Sequence, residues 1–306
     1  MSVIKKVAIL GASGNLGQVI VPALLQAEFE VTIVARPGAS QHVHTGITVK
    51  KALYGDLPAM TTALQGQHAV VEAFNPAGAA HQETIVLAAL AAGVSHLITP
   101  DFSSDTFNPH ADELQIFEPK RQAQQKLEEL VSGSNGTLAW TAVIVGGWFD
   151  WGIKTGKFWI DQKARTITRF GSGDQKYSMS RLALTGDAVV AVLNDPARFH
   201  NKPAYFASHT VSTNQLAAII KESCGGGWKV IDIPLDGFVD KARVLWEQDT
   251  VKGVKDRINS PAYQMLGTAA LFDEHNRYGA NFGDKLEPGW DEGEDALRDN
   301  LKRLIN

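Results

Sequence analysis

Three glycines near the start of the chain, Gly11, Gly14 and Gly17, have the spacing Gly-x-x-Gly-x-x-Gly and lie between two apolar runs. Glycine adopts a positive φ without strain, which a tight turn from a strand into a helix requires. A loop without side chains lets a pyrophosphate approach, and the N-terminus of the following helix attracts anions. We expect Gly17 to lie in the first helical turn, where a side chain would collide with the sheet.

This pattern indicates a dinucleotide-binding loop, and the alternative is an ordinary turn between a strand and a helix. The loop residues expected to contact the cofactor are Gly11, Ser13, Gly14, Asn15, Leu16 and Gly17.

The end of the second apolar run indicates which dinucleotide is bound. A site for NAD(H) places an acidic residue there to bind the ribose 2′-hydroxyl, whereas this chain has Arg36. A guanidinium can bind a 2′-phosphate through two hydrogen bonds, so Arg36 favours NADP(H); the alternative is an exposed loop cation. Asn75 follows a later apolar run, where it either binds the cofactor ribose or belongs to a plain turn.

The proton donor of the usual short-chain dehydrogenases is absent. That chemistry uses Tyr-x-x-x-Lys, and none of the five tyrosines has a lysine four residues later. Another group must supply the proton.

Strand-like and helix-like segments alternate through the first half of the chain and would position these residues. Strands are predicted at 3–10, 30–35, 47–52, 69–74, 95–99 and 138–145, with helices between them at 15–26, 79–92 and 119–131. This alternation predicts an α/β fold with a Rossmann-type doubly wound parallel sheet. After residue 145 the pattern becomes irregular, with a turn predicted at 171–173 and helices at 186–194, 214–223, 235–246 and 296–304. We expect an NADP-binding Rossmann domain at 1–146 and a smaller C-terminal α+β substrate lobe at 147–306, with some elements returning to the sheet.

Composition narrows the function. A net charge of −4 without a basic stripe argues against nucleic acid as a partner. The single cysteine, Cys224, excludes an intrachain disulfide. We see no signal peptide and no apolar run long enough to span a membrane, so we expect a cytoplasmic protein. His42 and His44 have no third ligand nearby, and we expect no metal site.

Five segments together resemble the isoflavone reductase-like and NmrA-like family of atypical short-chain dehydrogenases, with an aromatic stretch closer to fungal members. They are GASGNLG, VARP, GVSHLITPDFSSD, FEPKRQAQQKLEEL and LAWTAVIVGGWFDW. The resemblance covers about residues 3–210 and, more faintly, the C-terminal segment GWDEGEDALRDNLKRL. Two residues depart from the family pattern, because Asp101 and Ser103 replace its Glu and Gly.

The resemblance implies roles for particular residues. Its Phe-x-x-Lys motif makes Lys120 the catalytic lysine, which would touch the cofactor at most at its nicotinamide end. A helix N-terminus and a cleft would both lower the pKa of this lysine, and the alternative is a solvated helix lysine. The implied substrate pocket contains Asp101, Phe102, Trp148, Phe149 and Trp151. The three aromatic residues after residue 145 either stack on an aromatic substrate or fill an interface.

The expected function is NADPH-dependent reduction of a conjugated double bond or carbonyl in a small, aromatic or conjugated molecule. Two alternatives remain: an NmrA-like NADP(H)-binding redox sensor that acts on a protein partner, or a non-redox cyclase or isomerase on the same fold. The sequence leaves the substrate, the hydride face and the oligomeric state open.

Overall fold

A computed structural model describes residues 3–39, 47–157, 159–255 and 257–305. The strands are β1 (Lys6–Leu10), β2 (Glu30–Ala35), β3 (Thr48–Lys51), β4 (Ala69–Glu72), β5 (His96–Ile98), β6 (Ala139–Ile144), β7 (Gly147–Trp148), β8 (Ile160–Asp161), β9 (Thr166–Phe170), β10 (Lys176–Ser180), β11 (Lys202–Tyr205), β12 (His209–Ser212) and β13 (Lys229–Ile233). The helices are α1 (Asn15–Gln26), α2 (Leu57–Leu64), α3 (Gln82–Ala91), α4 (Glu118–Ser132), α5 (Phe149–Thr155), α6 (Leu184–Asn194), α7 (Thr213–Ser223), α8 (Phe238–Val251), α9 (Pro261–Phe272) and α10 (Gly293–Ile305).

The chain forms two compact units, each made of separate stretches. The first unit contains Met1–Phe102, Pro119–Ile144 and Leu182–Ala204. The second contains Ser103–Glu118, Val145–Arg181 and Tyr205–Asn306. Residues 103–118 thus pack with the later half of the chain, while α6 and most of β11 pack with the earlier half.

The first unit is built on a seven-stranded sheet with the order β11-β6-β5-β4-β1-β2-β3. Strands β3, β2, β1, β4, β5 and β6 are parallel to one another. Because β2 and β4 flank β1 and right-handed crossovers leave it in opposite directions, the helices cover both faces. The predicted doubly wound fold is confirmed, and the carboxyl ends of β1 and β4 meet where the strand order reverses.

Burial of both faces explains why these strands are apolar along their whole length. Val7 through Leu10 in β1 are all fully buried, as parallel strands between two helix layers should be. Helix α1 packs closely on α6, where a Cβ added at Gly186 would lie 2.7 Å from the Val19 carbonyl oxygen. The sheet is therefore a rigid support for the loops at its carboxyl edge.

The second unit contains two three-stranded sheets, β12-β10-β7 and β13-β9-β8. Its core includes an aromatic cluster in which the Trp159 ring meets Tyr177 at 4.9 Å and Phe272 at 4.7 Å, both edge to face. Strands β9 and β10 flank the predicted turn at 171–173 but belong to different sheets. Helices α5 and α9 were not predicted from the sequence. In the described part of the chain, no helix has the length and apolar character needed to cross a membrane.

Candidate functional site

The glycine loop joins β1 to α1, and its first glycine is fixed by backbone geometry. Gly11 has φ +85°, and the Gly14 N–H donates to its carbonyl oxygen at 3.0 Å. A Cβ at Gly11 would lie 2.5 Å from the Ala73 carbonyl oxygen, just beyond β4. Glycine is therefore required here both by the left-handed conformation and by the close approach of the two strand ends.

The other two glycines of the loop have different surroundings. The collision predicted for a side chain at Gly17 was with the sheet. A Cβ at Gly17 would instead lie 2.3 Å from the Ala12 carbonyl oxygen, so the side chain would collide with the backbone of the loop itself. Gly14 is exposed and extended, with φ −83° and ψ 176°. Among the described residues, a Cβ at Gly14 would meet the Gly11 carbonyl oxygen at an ordinary 3.5 Å. Packing within the protein thus explains why residue 17 is a glycine. Within the part of the chain that the structure describes, the space beside Gly14 is open.

The N-terminus of α1 opens into that space. Gly14 is the N-cap residue, and since it has no side chain it makes no capping hydrogen bond to the first turn of α1. Ser13 and Asn15 are exposed, whereas Leu16 lies in the first turn of α1 and is buried. Backbone N–H groups at an uncapped helix start suit an anion such as a phosphate.

Three further predicted residues lie at the same edge of the sheet in the first unit. Arg36 is exposed and directly follows β2. Asn75 is exposed just after β4, where it precedes a 3₁₀ turn at Pro76–His81. Lys120 lies in the first turn of α4. The structure therefore brings the glycine loop, Arg36, Asn75 and Lys120 to one edge of one sheet.

Lys120 is held within the first unit. Its Nζ donates to the Asp101 carbonyl oxygen at 2.5 Å. Burial lowers the pKa of Lys120, and the nearby Asp101 carboxylate partly opposes that shift. Asp101 is itself buried and accepts a hydrogen bond from the Thr99 hydroxyl at 2.6 Å. The contact with the Asp101 carbonyl fixes the position of an ammonium group whose proton is easier to remove than that of a solvated lysine.

The residue after Asp101 has a strained backbone. Phe102 has φ +41°, in the left-handed region that an aromatic residue rarely adopts, and its side chain is fully buried. Its N–H donates to the Val143 carbonyl oxygen at 2.8 Å. Such strain persists where the surroundings impose it, often at functional sites.

Sequence reasoning missed a buried carboxyl group at this edge. Glu72 is the last residue of β4, is fully buried, and accepts a hydrogen bond from Gln82 Nε2 at 3.0 Å. Burial, with a smaller effect of Asp101, raises the pKa of Glu72 to about 8. Glu72 is therefore mostly neutral at pH 7 and adds little negative charge beside the glycine loop. The signal in the sequence was a glutamate inside a strand that is apolar on both faces.

Tyr54 was missed as well. Its ring is 5.6 Å from that of Phe74, and its hydroxyl lies against the Gly11 backbone and near Arg36. Burial raises the pKa of this hydroxyl. Tyr54 thus supports the glycine loop from within the first unit.

The second unit contains a cavity of about 290 Å³. Trp148, Trp151 and Trp159 line it, together with small residues and Phe282. Phe149 does not line it: this ring is fully buried in the core, 5.7 Å from the ring of His209. The cavity suits a small aromatic molecule, because its walls are mainly aromatic and apolar.

No group of three or more His, Cys, Asp or Glu residues within the described ranges is arranged to hold a metal ion. His42 and His44 lie outside the described residues.

Comparisons with known proteins agree with this architecture. Residues 4–302 match the NmrA-like family, which confirms the resemblance seen in the sequence. Oxidoreductase aprR of Aspergillus flavus is 32% identical over 231 residues, 74% of this chain and 76% of that protein. The complex of leucoanthocyanidin reductase from Vitis vinifera with NADPH superposes with a TM-score of 0.72 at 17% identity, covering 98% of this chain and 99% of that one. The structure of AtPrR2 with NADP+ and (+)pinoresinol gives a TM-score of 0.74 at 15% identity and covers both chains fully.

Proposed function

Because this chain belongs to the NmrA-like family, we propose that it is an NADP(H)-dependent oxidoreductase. In this proposal it reduces a conjugated double bond or carbonyl of a small aromatic molecule. The observation that carries the proposal is the convergence of the glycine loop, Arg36, Asn75 and Lys120 at the carboxyl edge of one parallel sheet.

The residues at this edge fit NADP(H) in detail. The open space at Gly14 and the uncapped start of α1 would receive the pyrophosphate. Arg36 would bind the 2′-phosphate, and Asn75 a ribose hydroxyl. Ser13, Asn15 and Leu16 would contribute backbone or side-chain contacts along the loop. Two solved structures of similar fold contain NADPH or NADP+, which supports the same cofactor here.

Lys120 would perform the proton chemistry. Bound NADPH supplies a hydride from its nicotinamide ring. The Lys120 ammonium would donate the proton that completes the reduction, to the carbonyl oxygen or to the enolate of a conjugated acceptor, and would then regain a proton from solvent. A pKa lowered by burial makes that ammonium a stronger acid than a solvated lysine.

The substrate would be aromatic. The aromatic walls of the second unit's cavity, which include Trp148 and Trp151, support this proposal. In the first unit, Asp101 and Phe102 are the proposed pocket residues. The named ligands or substrates of two proteins with this fold, pinoresinol and leucoanthocyanidin, are aromatic too.

The test is NADPH oxidation by the purified protein with a panel of aromatic conjugated ketones and quinones. The proposal expects turnover of at least one acceptor, and loss of turnover in Gly14→Val. Tight NADPH binding without oxidation of any acceptor would favour the sensor alternative. Conversion of a substrate without net NADPH consumption would favour the cyclase or isomerase.

A further inference from the structure

The cavity of the second unit has one charged group among its described lining residues, Lys157. The rest of the lining is aromatic, aliphatic, glycine or serine. A single cation in a mainly aromatic and apolar lining can fix the orientation of a ligand, because its charge must be satisfied by water or by the ligand.

The backbone of Lys157 is fixed by the end of α5. Gly156 has φ +68° and ends the helix in the left-handed conformation. The Lys157 N–H then donates to the Gly152 carbonyl oxygen at 2.8 Å. The side chain therefore starts from a defined position at the cavity wall, although it is exposed at its end.

The ammonium group has neutral partners. Lys157 Nζ lies 5.4 Å from the centre of the Trp151 ring and donates to Asn259 Oδ1 at 3.1 Å. In the parts of the chain that the structure describes, no carboxylate forms an ion pair with it. An anionic ligand group would thus gain a full counter-charge without displacing a carboxylate.

The Ser178 hydroxyl, another polar group of the lining, is already engaged. The Ser178 hydroxyl lies 2.9 Å from the Thr210 hydroxyl and accepts a hydrogen bond from the Phe282 N–H at 3.2 Å. The hydroxyl of Tyr278 lies in the field of Glu113 and Arg277. Lys157 is the lining residue best suited to select a ligand by charge.

We propose that the cavity binds an aromatic oxyanion, with the ring against Trp148 and Trp151 and the anionic group on Lys157. This inference rests on the proposed function in taking the cavity as the substrate site, and it specifies the substrate class as an aromatic carboxylate or a related oxyanion. Neutral aromatic molecules of the same shape would bind more weakly.

The experiment compares two probes that differ in charge. Binding of 2-naphthoate and of uncharged 2-naphthamide to the protein saturated with NADP+ is measured by calorimetry. We expect the parent protein to bind the carboxylate about twofold to fivefold more tightly than the amide, the range for an exposed ion pair. Added salt should reduce that preference.

Three variants assign the effect to Lys157. Lys157→Met should remove the preference while leaving the affinity for the amide unchanged, and Lys157→Arg should retain it. Lys154→Met is the matched control, since Lys154 is an exposed lysine of α5 outside the cavity lining, and it should behave as the parent.

Each outcome distinguishes the inference from the proposed function. Equal binding of both probes to the parent and to Lys157→Met would overturn the inference while the cavity remained an aromatic site. A preference that persists in Lys157→Met would also overturn it. Failure of both probes to bind the parent would overturn the cavity as the substrate site, and the inference with it.

Discussion

At the scale of single residues, the proposed role of Lys120 as proton donor can be tested directly by mutation. We expect Lys120→Ala to bind NADPH almost as well as the parent, because the ammonium acts on the substrate. Turnover should fall by roughly 10²–10⁴-fold, the usual contribution of a positioned proton donor. Lys120→Arg should not restore it, since a guanidinium keeps its proton at any working pH. Steady-state rates and cofactor titrations measure both effects.

The same helix provides the control for Lys120. Lys126 forms ion pairs with Glu83 at 3.5 Å and Glu129 at 3.1 Å and makes no proposed contact with the cofactor or substrate. Lys126→Ala should therefore keep the parent's rate. Full activity in Lys120→Ala would return that lysine to a structural role and would favour the sensor or the isomerase.

Glu72 predicts an unusual dependence of stability on pH. Its pKa is about 8 in the folded protein and near 4.5 when unfolded, so the folded state holds the proton more tightly. The stability linked to this group is therefore full below about pH 4.5 and is lost as pH rises to about 8. The total loss is roughly 5 kcal/mol.

The variant Glu72→Gln should remove that loss. The new amide stays neutral at all pH values, and it could donate to Gln82 Oε1, which has no hydrogen-bond partner among the described residues. Urea denaturation should give similar free energies of unfolding for variant and parent at pH 5, and a variant more stable by a few kcal/mol at pH 8. Glu83→Gln, an exposed neighbour, should follow the parent. Parallel pH profiles for Glu72→Gln and the parent would contradict the assignment.

At the scale of elements, two glycines of the same loop should affect different properties: Gly14 should affect cofactor binding and Gly17 should affect stability. Gly14→Val should abolish NADP(H) binding with little loss of stability, because its side chain enters the space proposed for the pyrophosphate. Gly17→Val should instead destabilise the fold, because a Cβ there lies 2.3 Å from the Ala12 carbonyl oxygen. Thermal melts and cofactor titrations of both variants test this difference. Normal cofactor binding by Gly14→Val would show that the loop does not hold phosphate.

Elements with strong local signals were the ones that the sequence predicted well. Helix α1 and strand β2 have their predicted bounds, because a glycine loop and a regular apolar pattern define them. Helix α9 was missed although Ser260 and Pro261 mark its start, with the Ser260 hydroxyl accepting from the Tyr263 N–H at 3.2 Å. The sequence could not predict which strands pair with β9 and β10, because the residue pattern of a short strand does not show which sheet it joins.

Candidate site residues follow the same division. The glycine loop and Arg36 could be located because their positions are defined by the strand ends that precede them. The burial of Glu72, the contact of Tyr54 with the loop and the Lys120–Asp101 hydrogen bond depend on segments far apart in sequence. Such contacts leave no local pattern, so only the folded structure reveals them.

At the scale of the whole molecule, the division into units follows contacts between distant segments. The sequence predicts a boundary at 146, whereas the structure groups 103–118 with later segments and 182–204 with earlier ones. No change in composition marks these crossings. The assignment of the cofactor to the first unit and the substrate to the second remains a proposal.

Cofactor binding should also be visible in the thermal stability of the whole protein. A ligand present at about 100 times its Kd for the folded state adds about 2.7 kcal/mol, which is roughly 4 °C in Tm for a chain of this size. NADP+ should give that shift. NAD+ at the same concentration should give a much smaller one, because it offers Arg36 no 2′-phosphate.

Arg36→Ala tests the origin of this difference. Losing two charge-assisted hydrogen bonds should weaken NADP+ binding by about tenfold to a hundredfold, and this would bring the NADP+ shift close to that of NAD+. Arg198→Ala, at another exposed arginine of the first unit, should keep the parent's shift. The measurement is differential scanning fluorimetry of the three proteins with each cofactor. Equal shifts with both cofactors in the parent, or an unchanged NADP+ shift in Arg36→Ala, would mean that Arg36 does not select the cofactor.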